Sequence, residues 1–303
     1  MSPTVETSES GPPPRCAVAA LGRGDPMVGT AAPAAGYLLV EQPGGWGRQA
    51  LASSRLDPAV GAVVSSRAIQ QGLRALLIRR PGRHAAPERR AWAVVSSRPG
   101  REVTWWGDFG TDDELRTLPL DGSSGTPSDD PFYLVCAHGR HDQCCAIEGR
   151  PVALALARLR PSRVWECSHV GGDRFAANVV AMPHGLYYGR VDVDRAQELV
   201  ETHERGEVVP DLLRGRATTT PAAQAAIAHV RGLVSDPAID ALSPAGTLHL
   251  GEGVFQVRLR HGTRNLMVTL RATARPVPGL LTCHARNEAH PPTYDVLEVA
   301  EVG

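Results

Sequence analysis

Short apolar runs separated by Gly- and Pro-rich breaks dominate the chain, and their spacing switches between strand-like and helix-like periods. Residues 36–41 form the first run and stop at Gln42-Pro43-Gly44-Gly45, which predicts a strand entering a turn. A helical pattern over 60–74 leads into a second strand at 76–78. Residues 91–97 and 102–106 flank Arg98-Pro99-Gly100-Arg101 and predict a hairpin. Thr111-Asp112-Asp113-Glu114 then opens a short helix with acids in its first turn. The polar stretch 121–130, with its Gly, Ser and Pro, is the best linker candidate.

Beyond it the same order returns. Residues 132–135 predict a strand, the Cys136–Cys145 segment a loop, 150–159 a helix and 164–167 another strand. Strands at 178–182 and 186–188 flank Pro183-His184-Gly185, and 192–204 read as a helix. The two halves suggest degenerate copies of one unit, with convergent hairpin patterning as the competing explanation. After residue 218 come a helix at 221–234, a loop-rich connection at 236–245, strands at 254–260 and 266–271, and a last strand at 291–302. The expected class is therefore α/β (α+β): a disordered leader (1–33), two similar units (34–120 and 130–208) and a small α+β domain (216–303).

Composition narrows the function. The 303 residues suffice for two or three compact domains. With 32 basic against 32 acidic residues the net charge is zero, which argues against nucleic-acid binding through a broad basic face. Every basic residue is arginine, and an Ala/Arg/Gly-rich composition accounts for that; the missing lysine excludes Schiff-base chemistry and a Walker-type phosphate loop. No apolar run reaches the roughly 18 residues of a membrane helix. The leader is rich in Pro, Gly, Ser and Glu and has no apolar signal core. Six cysteines are too few for a disulfide scaffold in a chain of this length, so clustered ones read as metal ligands or redox groups in a cytoplasmic protein.

Such a cluster exists. Cys136, Cys144, Cys145 and Cys167 are followed by His169-Val170-Gly171-Gly172-Asp173. Soft thiolates beside an imidazole suit iron, zinc or copper rather than calcium or magnesium. Two thiolates from one loop and two ligands four residues apart on another can hold a binuclear iron–sulfur cluster, and Gly171-Gly172 lets the second loop approach closely. Adjacent Cys144 and Cys145 cannot both point the same way. Cys16, in the leader, and the Cys283-His284 pair read as having no role. Trp46, Arg48, Arg79 and Arg80 read as a solvated group beside a turn, and Pro183-His184-Gly185 as a turn.

The segments "LVCAHGRHDQCCAIEGRPVA" and "WECSHVGGDRFAANVVAMPHGLYYGRV", with "VEQPGGWGR" and "LIRRPGR" before them, resemble the sucrase/ferredoxin-like family over residues 36–207. The second half of that family is similar to thioredoxin-like 2Fe–2S ferredoxins. The resemblance implies a thioredoxin-like ferredoxin domain preceded by a degenerate copy that lacks the cluster. The family's pattern is Cys-x8-Cys followed by His-x-Gly-Gly-His, with the two cysteines on one iron and the two histidines on the other. Carried over, Cys136, Cys145 and His169 take ligand positions, and Asp173 stands where the second histidine is expected. Cys167 or Cys144 is the alternative fourth ligand.

The expected function is electron transfer by a 2Fe–2S protein with an unidentified redox partner protein, no nucleic acid and no membrane, and a carrier more than a catalyst. Arg174, next to the ligand loop, is a candidate to stabilise the anionic cluster. Two other readings compete. One is a thiol–disulfide oxidoreductase using Cys136 with Cys144 or Cys145, weakened by the lack of Cys-x-x-Cys. The other is a structural zinc module built from Cys136, Cys145, Cys167 and His169.

Overall fold

The computed structural model describes residues 14–274, 281–287 and 289–303. Helix α1 (Cys16–Gly22) precedes β1 (Gly36–Glu41), α2 (Pro58–Gln70), β2 (Leu73–Arg79), β3 (Arg90–Ser96), β4 (Val103–Phe109), a 3-10 turn and β5 (Thr126–Ser128). The second half contains β6 (Phe132–Cys136), α3 (Gln143–Leu159), β7 (Val164–Cys167), a 3-10 turn (Asp173–Phe175), β8 (Val179–Met182), β9 (Leu186–Tyr188), α4 (Ala196–Glu204) and β10 (Leu213–Arg216). Then follow α5 (Pro221–Val234), β11 (Ser243–Gly251), β12 (Val254–His261), β13 (Arg264–Ala274) and β14 (Pro292–Val302).

Ten strands form one mixed sheet in the order β10-β9-β8-β6-β7-β2-β1-β3-β4-β5, and β11 to β14 form a separate antiparallel sheet. Each half of the large sheet is built alike. A parallel pair, β1–β2 or β6–β7, carries its helix as the crossover, and an antiparallel hairpin, β3–β4 or β8–β9, pairs outward from the first strand. The halves meet where β2 and β7 pair antiparallel, Ile78 opposite Cys167 and Arg79 opposite Glu166.

Strand periodicity sends alternate side chains into different cores. Leu38 and Val40 pack with Val60, Val64 and Ala68 of α2, while Tyr37 and Leu39 face a cluster shared with Leu134, Cys136, Trp165 and Tyr187 of the other half. Tyr133 and Val135 meet Val152 and Leu156 of α3. The seam is reinforced by an Arg79–Glu166 ion pair at 2.7 Å and by Arg80 lying 3.5 Å over the Trp165 ring, which itself stacks on Trp106 at 5.9 Å. Trp46 is buried beneath Arg79, 4.2 Å from ring to guanidinium. Trp46, Arg79 and Arg80 therefore hold the seam, contrary to the expectation of a solvated group. In the small sheet, Val257, Leu259, Leu266, Val268 and Leu270 bury against Ala222, Ala226 and Val230 of α5.

Several boundaries differ from the sequence reading: α4 starts at Ala196 rather than 192, and β5, β10 and β11 were not expected, β5 lying in the expected linker and β11 overlapping the expected loop. Helix α2 starts at Pro58, because the Asp57 side chain caps it by accepting from Ala59 N at 2.7 Å. Helix α3 starts at Gln143, capped by Asp142, and runs through Pro151 instead of beginning near it. The expected leader 1–33 is ordered in part: Cys16, Ala17 and Ala20 of α1 are buried, so apolar burial overrides a composition that reads as disordered. Residues 1–13 of that leader lie outside the described residues.

On α4, His203 is buried edge-on to Tyr133 and His184, and neither ring nitrogen has a hydrogen-bond partner. Burial pushes its pKa from 6.5 down to about 3, and His184 and Arg216 add to the effect. Below pH 6.5 the unfolded chain takes up a proton that the folded chain refuses until about pH 3, so stability falls as pH drops through that window. His203→Phe is expected to flatten the acid limb of stability by up to about 1.4 kcal/mol per pH unit. Denaturant unfolding at pH 7 and pH 5 checks this; an unchanged slope contradicts it.

Candidate metal centre

The centre lies at the carboxyl ends of the parallel strands β6 and β7, against the start of α3, where a crevice opens in such sheets. Cys136 ends β6, Cys145 sits in the first turn of α3, and His169 follows β7 by two residues. The Sγ atoms of Cys136 and Cys145 and a ring nitrogen of His169 all lie within 4.8 Å of one another. Asp173 Oδ1 accepts from Cys145 Sγ at 3.1 Å and lies 2.9 Å from His169 Nδ1. That nitrogen is buried and, despite the short contact, lacks an aligned hydrogen bond.

The loop carrying His169 and Asp173 is held by its backbone carbonyls. Arg74 of β2 donates to His169 O at 3.0 Å, Arg214 Nη1 to Gly171 O at 2.8 Å, and Asn178 Nδ2 to Gly172 O at 2.8 Å. Gly171 and Gly172 take left-handed φ of 94° and 81°, a conformation that suits glycine. A Cβ on Gly172 would meet Arg214 Nη2 at 2.4 Å. Arg214 is fully buried, and its remaining donors reach Thr30 O at 2.6 Å, Thr30 Oγ1 at 3.1 Å and Asn178 Oδ1 at 2.7 Å.

Two histidines inside the Cys136–Cys145 loop complete the surroundings. His138 Nδ1 accepts from the His169 backbone N–H at 3.3 Å, and its Nε2 lies 2.6 Å from Gly47 O, which fixes Nε2 as the protonated nitrogen. His141 stacks on His169 with ring centroids 3.7 Å apart, and its Nε2 lies 3.9 Å from Asp173 Oδ2. His141, His169 and Asp173 thus form a second candidate ligand group that overlaps the first. Both rings line a cleft of about 580 Å³ whose far wall, with Arg48, Leu51 and Gly61, comes from the first half.

The electrostatics follow from this packing. A hydrogen bond from Cys145 holds the Cys136 thiol well below its usual range against burial, and His169 adds to the effect. Cys145 moves the opposite way, raised by donating to Cys136 and by burial. Burial opposes charge on His169, but Asp173 and Cys136 outweigh it and raise the ring to about 9. Burial likewise opposes charge on Asp173, yet His169 and Cys145 bring its carboxyl below the usual value. The centre places His169, its ring held toward the protonated form, between the low-pKa Cys136 thiol and the Asp173 carboxylate, beside the Cys145 thiol.

The sequence profile of the sucrase/ferredoxin-like family matches residues 27–215, which takes in nearly the whole ten-stranded sheet. The chain belongs to that family. Among solved structures it is similar to a thioredoxin-like [2Fe-2S] ferredoxin from Aquifex aeolicus, with 22% identity over 31% of this chain and 97% of that one, and a TM-score of 0.28. A cysteine-to-serine variant of that ferredoxin matches at 24% identity over 28% of this chain and 97% of its own, with a TM-score of 0.25. No curated protein matches the chain.

Of the residues singled out in the sequence of this sucrase/ferredoxin-like chain, Cys136, Cys145, His169 and Asp173 come together. Cys167 is buried on β7 but belongs to neither ligand group among the described residues, and Cys144 points away from the centre, toward Cys16 and Cys283. Arg174 pairs with Asp25 at 3.4 Å and lies over Phe175 at 4.3 Å. His184 packs on His203. His138, His141, Arg74 and Arg214 were not anticipated; for the two histidines the signal was their place between the cysteines, and for the arginines no local signal exists.

Gly172→Ala is expected to destabilise the protein by about 1–3 kcal/mol through crowding of Arg214. Arg214→Lys should cost at least as much, since one ammonium cannot replace a guanidinium that reaches Gly171, Asn178 and Thr30 together. Urea unfolding of both variants tests this, and wild-type midpoints would refute the positioning role.

Proposed function

We propose that Cys136, Cys145, His169 and Asp173 hold a 2Fe–2S cluster and that the chain is a cytoplasmic electron-transfer protein serving a separate redox partner protein. The observation that carries this reading is the convergence of two thiol sulfurs with the misaligned His169 Nδ1–Asp173 Oδ1 contact at 2.9 Å. The donor chemistry fits: two thiolates suit one iron, and an imidazole with a carboxylate suits the other. Membership of the sucrase/ferredoxin-like family supports the same assignment. When bound, such a cluster accepts and returns one electron.

The chain's own residues would orient the ligands and set their protonation. Arg74, Arg214 and Asn178 hold the carbonyls of the His169 loop, and His138 holds the His169 amide. Asp173 favours protonation of the neighbouring imidazole, and His169 would release that proton on becoming a ligand. The cleft over His141 and His169 supplies a face at which a partner protein can approach the centre. A fourth ligand from His141 is the rival assignment, favoured by its stacking on His169. Asp173 is the better candidate because it touches both Cys145 and His169.

Protein purified without oxygen is expected to be red-brown, to contain about two irons per chain and to give a rhombic EPR signal on reduction. A colourless protein with zinc in this centre, or with a reducible Cys136–Cys145 dithiol, refutes the assignment. Asp173→Ala should lose most of the iron and His141→Ala should keep it; the reverse would move the fourth ligand to His141. Asp173→His, replacing an anion with a neutral imidazole, should raise the reduction potential by on the order of 100 mV, measured by redox titration.

A further inference from the structure

Three cysteines without a role in that centre meet on its far side. Cys16 Sγ lies 3.6 Å from Cys144 Sγ and 3.5 Å from Cys283 Sγ, and Cys144 Sγ lies 3.5 Å from Cys283 Sγ. Both carboxylate oxygens of Asp142 stand 3.7 Å from Cys16 Sγ. One ligand atom from each of the four residues falls within 4.8 Å of every other. The residues come from α1, from the cap and first turn of α3, and from the 281–287 segment. Nothing local in the sequence brings them together.

The edge lengths are those of a coordination site. An ion bound to sulfur at about 2.3 Å in a tetrahedron separates neighbouring sulfurs by about 3.8 Å, so the observed triangle needs only slight expansion. Asp142 is fully buried, and its oxygens accept from Cys144 N at 2.9 Å and Cys283 N at 2.6 Å. No Arg or His side chain among the described residues pairs with it. A buried carboxylate without a cation, with three thiol sulfurs within 4.8 Å, is a costly arrangement unless a positive charge sits among them.

We propose that Cys16, Cys144, Cys283 and Asp142 form a structural zinc site that clasps the N-terminal helix and the 281–287 segment to the start of α3. Three soft donors and one carboxylate select a borderline-soft d10 cation over calcium or magnesium, and a closed four-donor set is that of a structural rather than a catalytic site. Binding releases the three thiol protons to solvent, and the divalent ion with three thiolates and one carboxylate carries two negative charges in excess. Helix α1 also packs on the Asp173–Phe175 turn, so the clasp steadies the segment that carries Asp173.

The test is the metal content of the full chain and of Cys283→Ser and Cys16→Ser, with zinc and iron counted separately by mass spectrometry. The expected result is about one zinc per wild-type chain, a fall of at least tenfold in both variants, and unchanged iron. Because either variant can fail to fold, Co(II) is also titrated into metal-stripped wild-type protein. Thiolate-to-cobalt charge-transfer bands with tetrahedral d–d absorption, blocked by prior zinc, support the site. Zinc content unchanged in Cys283→Ser, three freely alkylated thiols in zinc-free wild-type protein, or a disulfide between two of them would overturn it. Zinc lost from the variants of a protein that holds no iron would uphold this site and refute the cluster.

Discussion

The strand β7 is flanked by β6 running parallel on one side and β2 running antiparallel on the other, and the centre depends on this arrangement. The parallel pairing brings the ends of β6 and β7 to the same edge, so that Cys136 and the His169 loop leave the sheet side by side. The antiparallel pairing brings the first half of the chain against that loop. Leu77 exchanges hydrogen bonds with Ser168, at 3.0 and 2.8 Å, immediately before His169. Arg74, three residues earlier on the same strand, reaches the His169 carbonyl. The first half contains none of the proposed ligands, yet it supplies a wall of the cleft, the anchor for His138 and the donor to His169.

Buried polar contacts give this junction its geometry. Arg214 is the extreme case: it is fully buried and neutralised by oxygen dipoles rather than by a carboxylate. Burial lowers its pKa to about 10, which leaves it cationic at neutral pH. Such a group is expensive to bury, and leaving its partners unsatisfied is more expensive still. The loop that presents His169 and Asp173 is therefore fixed by contacts remote from the atoms it presents. Gly171 and Gly172 supply the left-handed turn that makes those carbonyls accessible.

Much of this was legible in the sequence, for reasons particular to each element. Most strands showed as apolar runs bounded by Gly- and Pro-rich breaks, whereas β5, β10 and β11 did not, and α5 matched residues 221–234 because Thr220 and Pro221 mark its start and little interrupts its apolar face. Helix α3 was placed at 150–159 by its apolar periodicity, with the Cys136–Cys145 segment as a loop, whereas the true cap is Asp142, whose side chain accepts from Cys144 N. A proline deep in a helix forfeits one hydrogen bond, and burial of Val152, Ala153 and Leu156 outweighs that loss. The proximity of Cys136, Cys145, His169 and Asp173 was readable because each pair lies within one local motif. Cys16 and Cys283 were not, since 267 positions separate them and only the folded chain defines their proximity.

Cys144 and Cys145 bind these observations together. Successive helical residues point about 100° apart, so adjacent cysteines in the first turn of α3 face different surroundings. Cys145 faces Asp173 and the β6 end, while Cys144 faces α1 and the 281–287 segment. Asp142 links them through its cap on the same turn and its bond to Cys283 N. A rotation of that turn large enough to move one thiol would move the other. The proposed clasp and the proposed cluster thus draw ligands from adjacent residues of one helical turn and face different sides of it.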